Sequence, residues 1–104
     1  MSRFKAITGS GFQITFDNNV TVSVQFGQGA YANKSFSTGM FLVSDTAELA
    51  IMLHGESREW LTKDFAREVL DTDLKDDIIG YTTPDVVTKA LVWAEQFKIL
   101  LDKT

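Results

Sequence analysis

An α+β domain is the fold this sequence predicts, an antiparallel sheet of four or five strands with one long C-terminal helix packed on one face. Three observations carry the expectation. Gly11 to Tyr31 alternates strictly and turns once, Thr83-Pro84-Asp85 opens a stretch of helical period, and a chain of 104 residues is 44% hydrophobic with 12% aromatic residues. A chain of this length buries roughly 65% of the surface its unfolded form exposes, enough for a single domain over 1–104.

The N-terminal hairpin comes first in strength. Phe12, Ile14 and Phe16 share one face before the turn, and Val20, Val22, Val24 and Phe26 share one after it. Gln13, Thr15, Thr21, Ser23 and Gln25 lie opposite, the pattern of half-buried strands. Asn18-Asn19 suits a two-residue type I′ turn, because Asn tolerates positive φ. On that reading the turn needs only positive φ, and glycines would serve as well. Arg3 to Ile7 predicts a short edge strand ended by Thr8-Gly9-Ser10-Gly11.

Gly27 to Gly39 reads as a long polar loop, with a further short strand over Met40 to Val43. Asp45 to Leu53 admits two readings. Ser44 suits a helix cap with Glu48 in the first turn, whereas Leu49, Ile51 and Leu53 alternate as in a strand that turns at His54 to Ser57 into Arg58 to Thr62. The hairpin is preferred, since Trp60 and the β-rich start of the chain want sheet partners. Phe65 to Leu70 predicts one helical turn. In the closing helix Thr83 is the N-cap, Pro84 the first helical position and Asp85 the charge at the positive dipole end. Val86, Val87, Ala90, Leu91, Trp93, Ala94, Phe97, Leu100 and Leu101 make its broad apolar face.

Charge and composition exclude several function classes. Zero cysteines remove thiolate catalysis and zinc-thiolate sites. Residues 1–44 carry Arg3, Lys5 and Lys34 against Asp17, a balance of +2, and residues 45–104 carry seven bases against thirteen acids, a balance of −6. Nucleic-acid binding wants the opposite surplus on one face and is not expected. No window approaches the ~18 apolar residues of a membrane span, and no export segment is read at the N-terminus, so a cytoplasmic chain is expected.

Candidate chemistry is sparse. Gly27-Gln28-Gly29-Ala30-Tyr31-Ala32 matches a dinucleotide fingerprint but follows an alternating strand and precedes no amphipathic helix. Its glycines chiefly release the chain from the strand. As a ligand loop it would offer Gly27, Gln28, Gly29 and Asn33 for close backbone and side-chain approach, Tyr31 for stacking and Lys34 for charge. Asp71, Asp73, Asp76 and Asp77 form an acidic cluster, but Asp76 stands where a calcium loop needs glycine and Thr82 where it needs glutamate. His54 is the single histidine, in a turn, and no nucleophile motif accompanies it. No enzyme activity, cofactor or metal is therefore expected. Val92 and Ile99 lie together on the outer side of the closing helix among Lys89, Glu95 and Gln96, and are the candidate contact for a second subunit or a partner.

The run Gly11 to Tyr31 resembles a G-F-x-x-T-F-x-N-G-x-T-V-S-V-Q-x-G-x-G-x-Y stretch of small uncharacterised proteins of tailed bacteriophages and mobile elements. Asp77-Ile78-Ile79-Gly80-Tyr81-Thr82-Thr83-Pro84-Asp85-Val86-Val87 is similar to the D-x-x-G-Y-x-x-P-D-x-V lead-in to their last helix. This chain departs at Asn19, where glycine is usual, and over His54 to Trp60, where an aromatic-D-x-D-G-x-W hairpin is usual. The resemblance implies a phage setting in the host bacterial cytoplasm. It further implies an acidic binding protein that counters antiviral defence, either by blocking a host protein or by sequestering a nucleotide signal. The other class is a structural or assembly accessory of the phage particle, self-associating as a homo-oligomer through a sheet edge or through Val92 and Ile99.

Overall fold

Alternation in the first hairpin decides where the core lies. The computed structural model describes residues 2–7, 10–26, 36–38, 41–43, 45–55 and 58–98. In chain order its elements are β1 (Arg3–Ile7), β2 (Gly11–Thr15), β3 (Val20–Gln25), β4 (Phe36–Thr38), β5 (Phe41–Val43), β6 (Ala47–Leu53), β7 (Glu59–Trp60), α1 (Thr62–Val69), β8 (Ile79–Thr82) and α2 (Pro84–Gln96). The fold is α+β, as expected. Among the described residues, six strands rather than four or five form the main antiparallel sheet, in the order β1-β2-β3-β6-β7 with β8 also on β6, and β4 and β5 pair separately. The segment expected to be loop thus holds β4.

Val20, Val22 and Val24 point to one side of β3 and meet Leu49 and Ile51 of β6 across the ladder Val22↔Ile51 and Val24↔Leu49. Ala90 and Ala94 of α2, Leu61 and Phe65 are buried in the same cluster. Small alanines let a helix backbone approach a sheet closely, and each large side chain buried there contributes about 1.5–3 kcal/mol. On the other side of the sheet small polar side chains satisfy one another: Thr15 and Thr21 hydroxyls lie 2.8 Å apart, and Ser23 accepts from Gln13 and Gln25.

The preference for a hairpin over a helix at 45–62 agrees with the structure, since Met52 pairs Trp60 and Leu53 pairs Glu59. The single turn expected at Phe65 to Leu70 is instead the eight-residue helix α1. Thr62 explains why the strand stops where that helix starts. Its buried hydroxyl accepts from the Ile51 N–H at 2.9 Å and donates to the Ile51 carbonyl at 3.3 Å, and that carbonyl also accepts from the Leu61 N–H at 2.8 Å. A side chain thereby finishes the ladder that β7 leaves. Phe65 meets Trp93 edge-on at 5.7 Å between centroids, and Trp93 meets Phe97 at 5.2 Å, which ties α1 to α2.

At α2 the expected N-terminus is present: the Thr83 side chain accepts from the Val86 N–H, and Pro84 holds the first position. The helix ends at Gln96, and Leu100 and Leu101 lie outside the described residues. Among the described residues no helix is long and apolar enough to cross a membrane.

The hairpin turn differs from the expected type I′. Asn19 has φ +67°, but Asn18 is not among the residues with positive φ. Asn19 N–H donates to the Phe16 carbonyl and Phe16 N–H to the Val20 carbonyl, so three residues, Asp17 to Asn19, span the turn with only the last left-handed. The reason lies 76 residues away. Asn18 accepts from the Val20 N–H through Oδ1 and donates through Nδ2 to the carbonyls of Ala94, Glu95 and Phe97 at 2.8, 3.3 and 3.0 Å. Its amide therefore closes the C-terminal end of α2, where carbonyls lack helical partners. Glycine at position 18 would not serve.

Candidate functional site

Two short strands share one edge of β6, and the site lies where one gives way to the other. β7 pairs the C-terminal end of β6, at Met52 and Leu53, while β8 pairs the N-terminal end, Ala47↔Thr82 and Leu49↔Ile79. Gly80 and Tyr81 together stand opposite Glu48, an extra residue that makes a β-bulge. Tyr81 takes φ +53° there, an unusual conformation for a bulky side chain. The Thr82 hydroxyl donates to the Ile79 carbonyl at 3.1 Å and closes the bulge from within.

This geometry puts the Tyr81 ring out of the sheet, 60% exposed, with Trp60 across the junction at 40%. With Asp76, Asp77, Ile78 and Gly80 they line a groove of about 640 Å³. Its chemistry is two aromatic faces beside two carboxylates. Ring faces carry negative quadrupole charge, so both kinds of group favour the same ligand charge, a cation.

Only half of the acidic cluster serves the groove. Asp71, with φ +53°, ends α1, where the Thr72 N–H returns to the Ala66 carbonyl at 3.1 Å. Asp73 lies 3.7 Å from the Arg67 guanidinium, which also reaches Asp64 at 3.8 Å. Among the described residues no three His, Cys, Asp or Glu side chains gather as a metal centre requires. Nor does any buried side-chain polar atom among them lack a hydrogen-bond partner.

The sequence-predicted site falls elsewhere. Gly27, Gln28, Gly29, Tyr31, Asn33 and Lys34 lie outside the described residues, as does Ile99. Val92 stands on α2 at 49% exposure, the described half of the expected contact. His54 is an exposed turn residue whose N–H donates to the Asn19 carbonyl. Trp60 and Tyr81 were not among the predicted site residues. Their signal was available in the exposed-looking aromatic after Gly80, set between an acidic run and a helix cap. A second cavity, about 280 Å³, lies under the start of α2 between Phe12, Val24, Phe26, Ala47, Pro84 and Val87. Its walls are mostly apolar, and among the described residues Asp45 is the one charged residue lining it.

No protein-family model, curated protein or solved structure matches this chain.

Proposed function

We propose that the chain is a non-catalytic binding protein whose Trp60–Tyr81 groove takes a basic segment of a partner protein. The observation that supports this is the pairing of two exposed rings with Asp76 and Asp77 around one groove on a chain of net charge −4. Each cation seated on a ring contributes about 0.5–2 kcal/mol, and each exposed carboxylate pair about 0.2–1 kcal/mol. Such a groove anchors a larger interface rather than supplying one alone. In the phage setting that the sequence resemblance implies, the partner is a host protein of antiviral defence, blocked in the bacterial cytoplasm, while α2 covers the opposite side of the sheet. The same carboxylates repel phosphate, so blocking a protein fits this groove better than sequestering a nucleotide.

Titration of wild type with a Lys- and Arg-rich peptide, read by tryptophan fluorescence and calorimetry, tests the reading. Binding is expected to weaken about tenfold in Trp60→Ala or Tyr81→Ala, the loss of one ring contact. Equal affinity for an acidic peptide of the same length, or unchanged binding in both variants, would sink it.

A further inference from the structure

The two edges of the main sheet carry opposite chemistry. At one edge is β1, which pairs only β2 among the described residues and exposes Arg3, Phe4 and Lys5, with Phe4 at 79%. At the other edge, across β2, β3 and β6, is the groove of Trp60, Tyr81, Asp76 and Asp77. Side chains alternate along β1, so Arg3 and Lys5 stand on the sheet face that carries Thr15, Thr21 and, on β7, Trp60, while Phe4 stands on the other face.

We propose that copies of this chain associate head to tail, the β1 edge of one seated against the groove of the next. The inference rests on the groove being a cation site, as proposed above, and names a second copy as an occupant. A two-fold arrangement is the less favourable one. Pairing β1 with β1 would set Arg3 and Lys5 against their own copies, and like charges opposite one another on paired strands are destabilising. Groove against groove would oppose four carboxylates. Edge against groove places Arg3 and Lys5 within the field of Asp76 and Asp77, so that unlike charges meet where the two-fold arrangements set like ones. A heterologous contact of this kind does not close at two copies, so it yields a series of sizes rather than a dimer.

The test is a charge exchange read by sedimentation velocity at low ionic strength. Wild type is expected to sediment faster as concentration rises, and its association constant to fall about tenfold or more on adding physiological salt. Arg3→Glu-Lys5→Glu alone and Asp76→Lys-Asp77→Lys alone should be monomers, because each then presents like charges on both edges. An equimolar mixture of the two should associate again. Circular dichroism checks that both variants are folded, and every reversed side chain is at least partly exposed. A wild type that stays monomeric throughout, or folded variants whose mixture fails to associate, would overturn the proposal and leave Arg3 and Lys5 as guards of an open edge. The same samples titrated with the basic peptide separate the two readings. Peptide binding by a monomeric wild type removes self-association and keeps the groove, whereas absence of both removes both.

Discussion

Replacing Asn18 should damage the far end of the molecule, not only the turn that holds it. The Asn18 amide donates two hydrogens among three carbonyls at the end of α2 and accepts one N–H from Val20. At about 1 kcal/mol net for each bond, with sharing among the three carbonyls discounted, Asn18→Ala should lose ~2–3 kcal/mol. Whole-domain stability is on the order of 5–15 kcal/mol, so the loss is a large share. For a domain near this size it lowers Tm by roughly 10–20 °C. The deciding variant is Asn18→Asp. Aspartate keeps the acceptor for Val20 and serves turns as well as asparagine does, so a residue needed only by the turn would tolerate it. At the end of α2 it offers no donor and puts a negative charge beside the negative pole of the helix. Asn18→Asp should therefore fall at least as far as Asn18→Ala in urea unfolding followed by circular dichroism, with the midpoint moving at constant slope. An aspartate variant as stable as wild type would refute the link between turn and helix.

Three further outcomes follow from single contacts. Gly11 has φ +149°, and a Cβ there would overlap the Val24 carbonyl oxygen and come within 2.9 Å of Gln25 Cα, so Gly11→Ala should fail to fold or unfold several kcal/mol earlier in urea. Thr62→Val, equal in shape, orphans the buried Ile51 N–H and should lose about 1–3 kcal/mol by chemical denaturation, while Thr62→Ser stays near wild type. Tyr81→Gly should hold or raise Tm, because glycine takes φ +53° without strain, yet weaken capture of a basic peptide; a lowered Tm would mean that the ring supports the fold.

The parts of the fold legible in the sequence are those fixed by period and local chemistry. Phe12 to Phe26 alternates, and Thr83-Pro84-Asp85 caps a helix, whatever the rest of the chain does. Asn18 shows the limit: its local preference for turns is real, but its conformation answers to carbonyls 76 to 79 residues away. The start of α1 has no side-chain cap, so the sequence there reads as a single turn; Thr62, which local rules would place at the surface, is buried as a substitute strand partner for Ile51. The groove was illegible for a related reason. Trp60 and Asp76 to Tyr81 belong to segments that meet only because both pair β6.

That meeting explains why the groove exists at all. Had β7 continued past Trp60, one strand would have paired the whole edge of β6 and left a flat, closed border. Leu61 and Thr62 instead finish the hydrogen bonding of Ile51 and turn the chain into α1, which frees the remaining edge for a strand arriving from another direction. β8 reaches it through a bulge, and the bulge places Tyr81 in a left-handed conformation that costs a non-glycine residue of order 1–3 kcal/mol. Glycine, which already occupies position 80, would form the same bulge without that strain. The bulge itself thus places no demand for a ring at position 81. A strained tyrosine kept largely in water at this junction, beside Trp60 and two carboxylates, is the feature on which the proposal of a cationic partner rests.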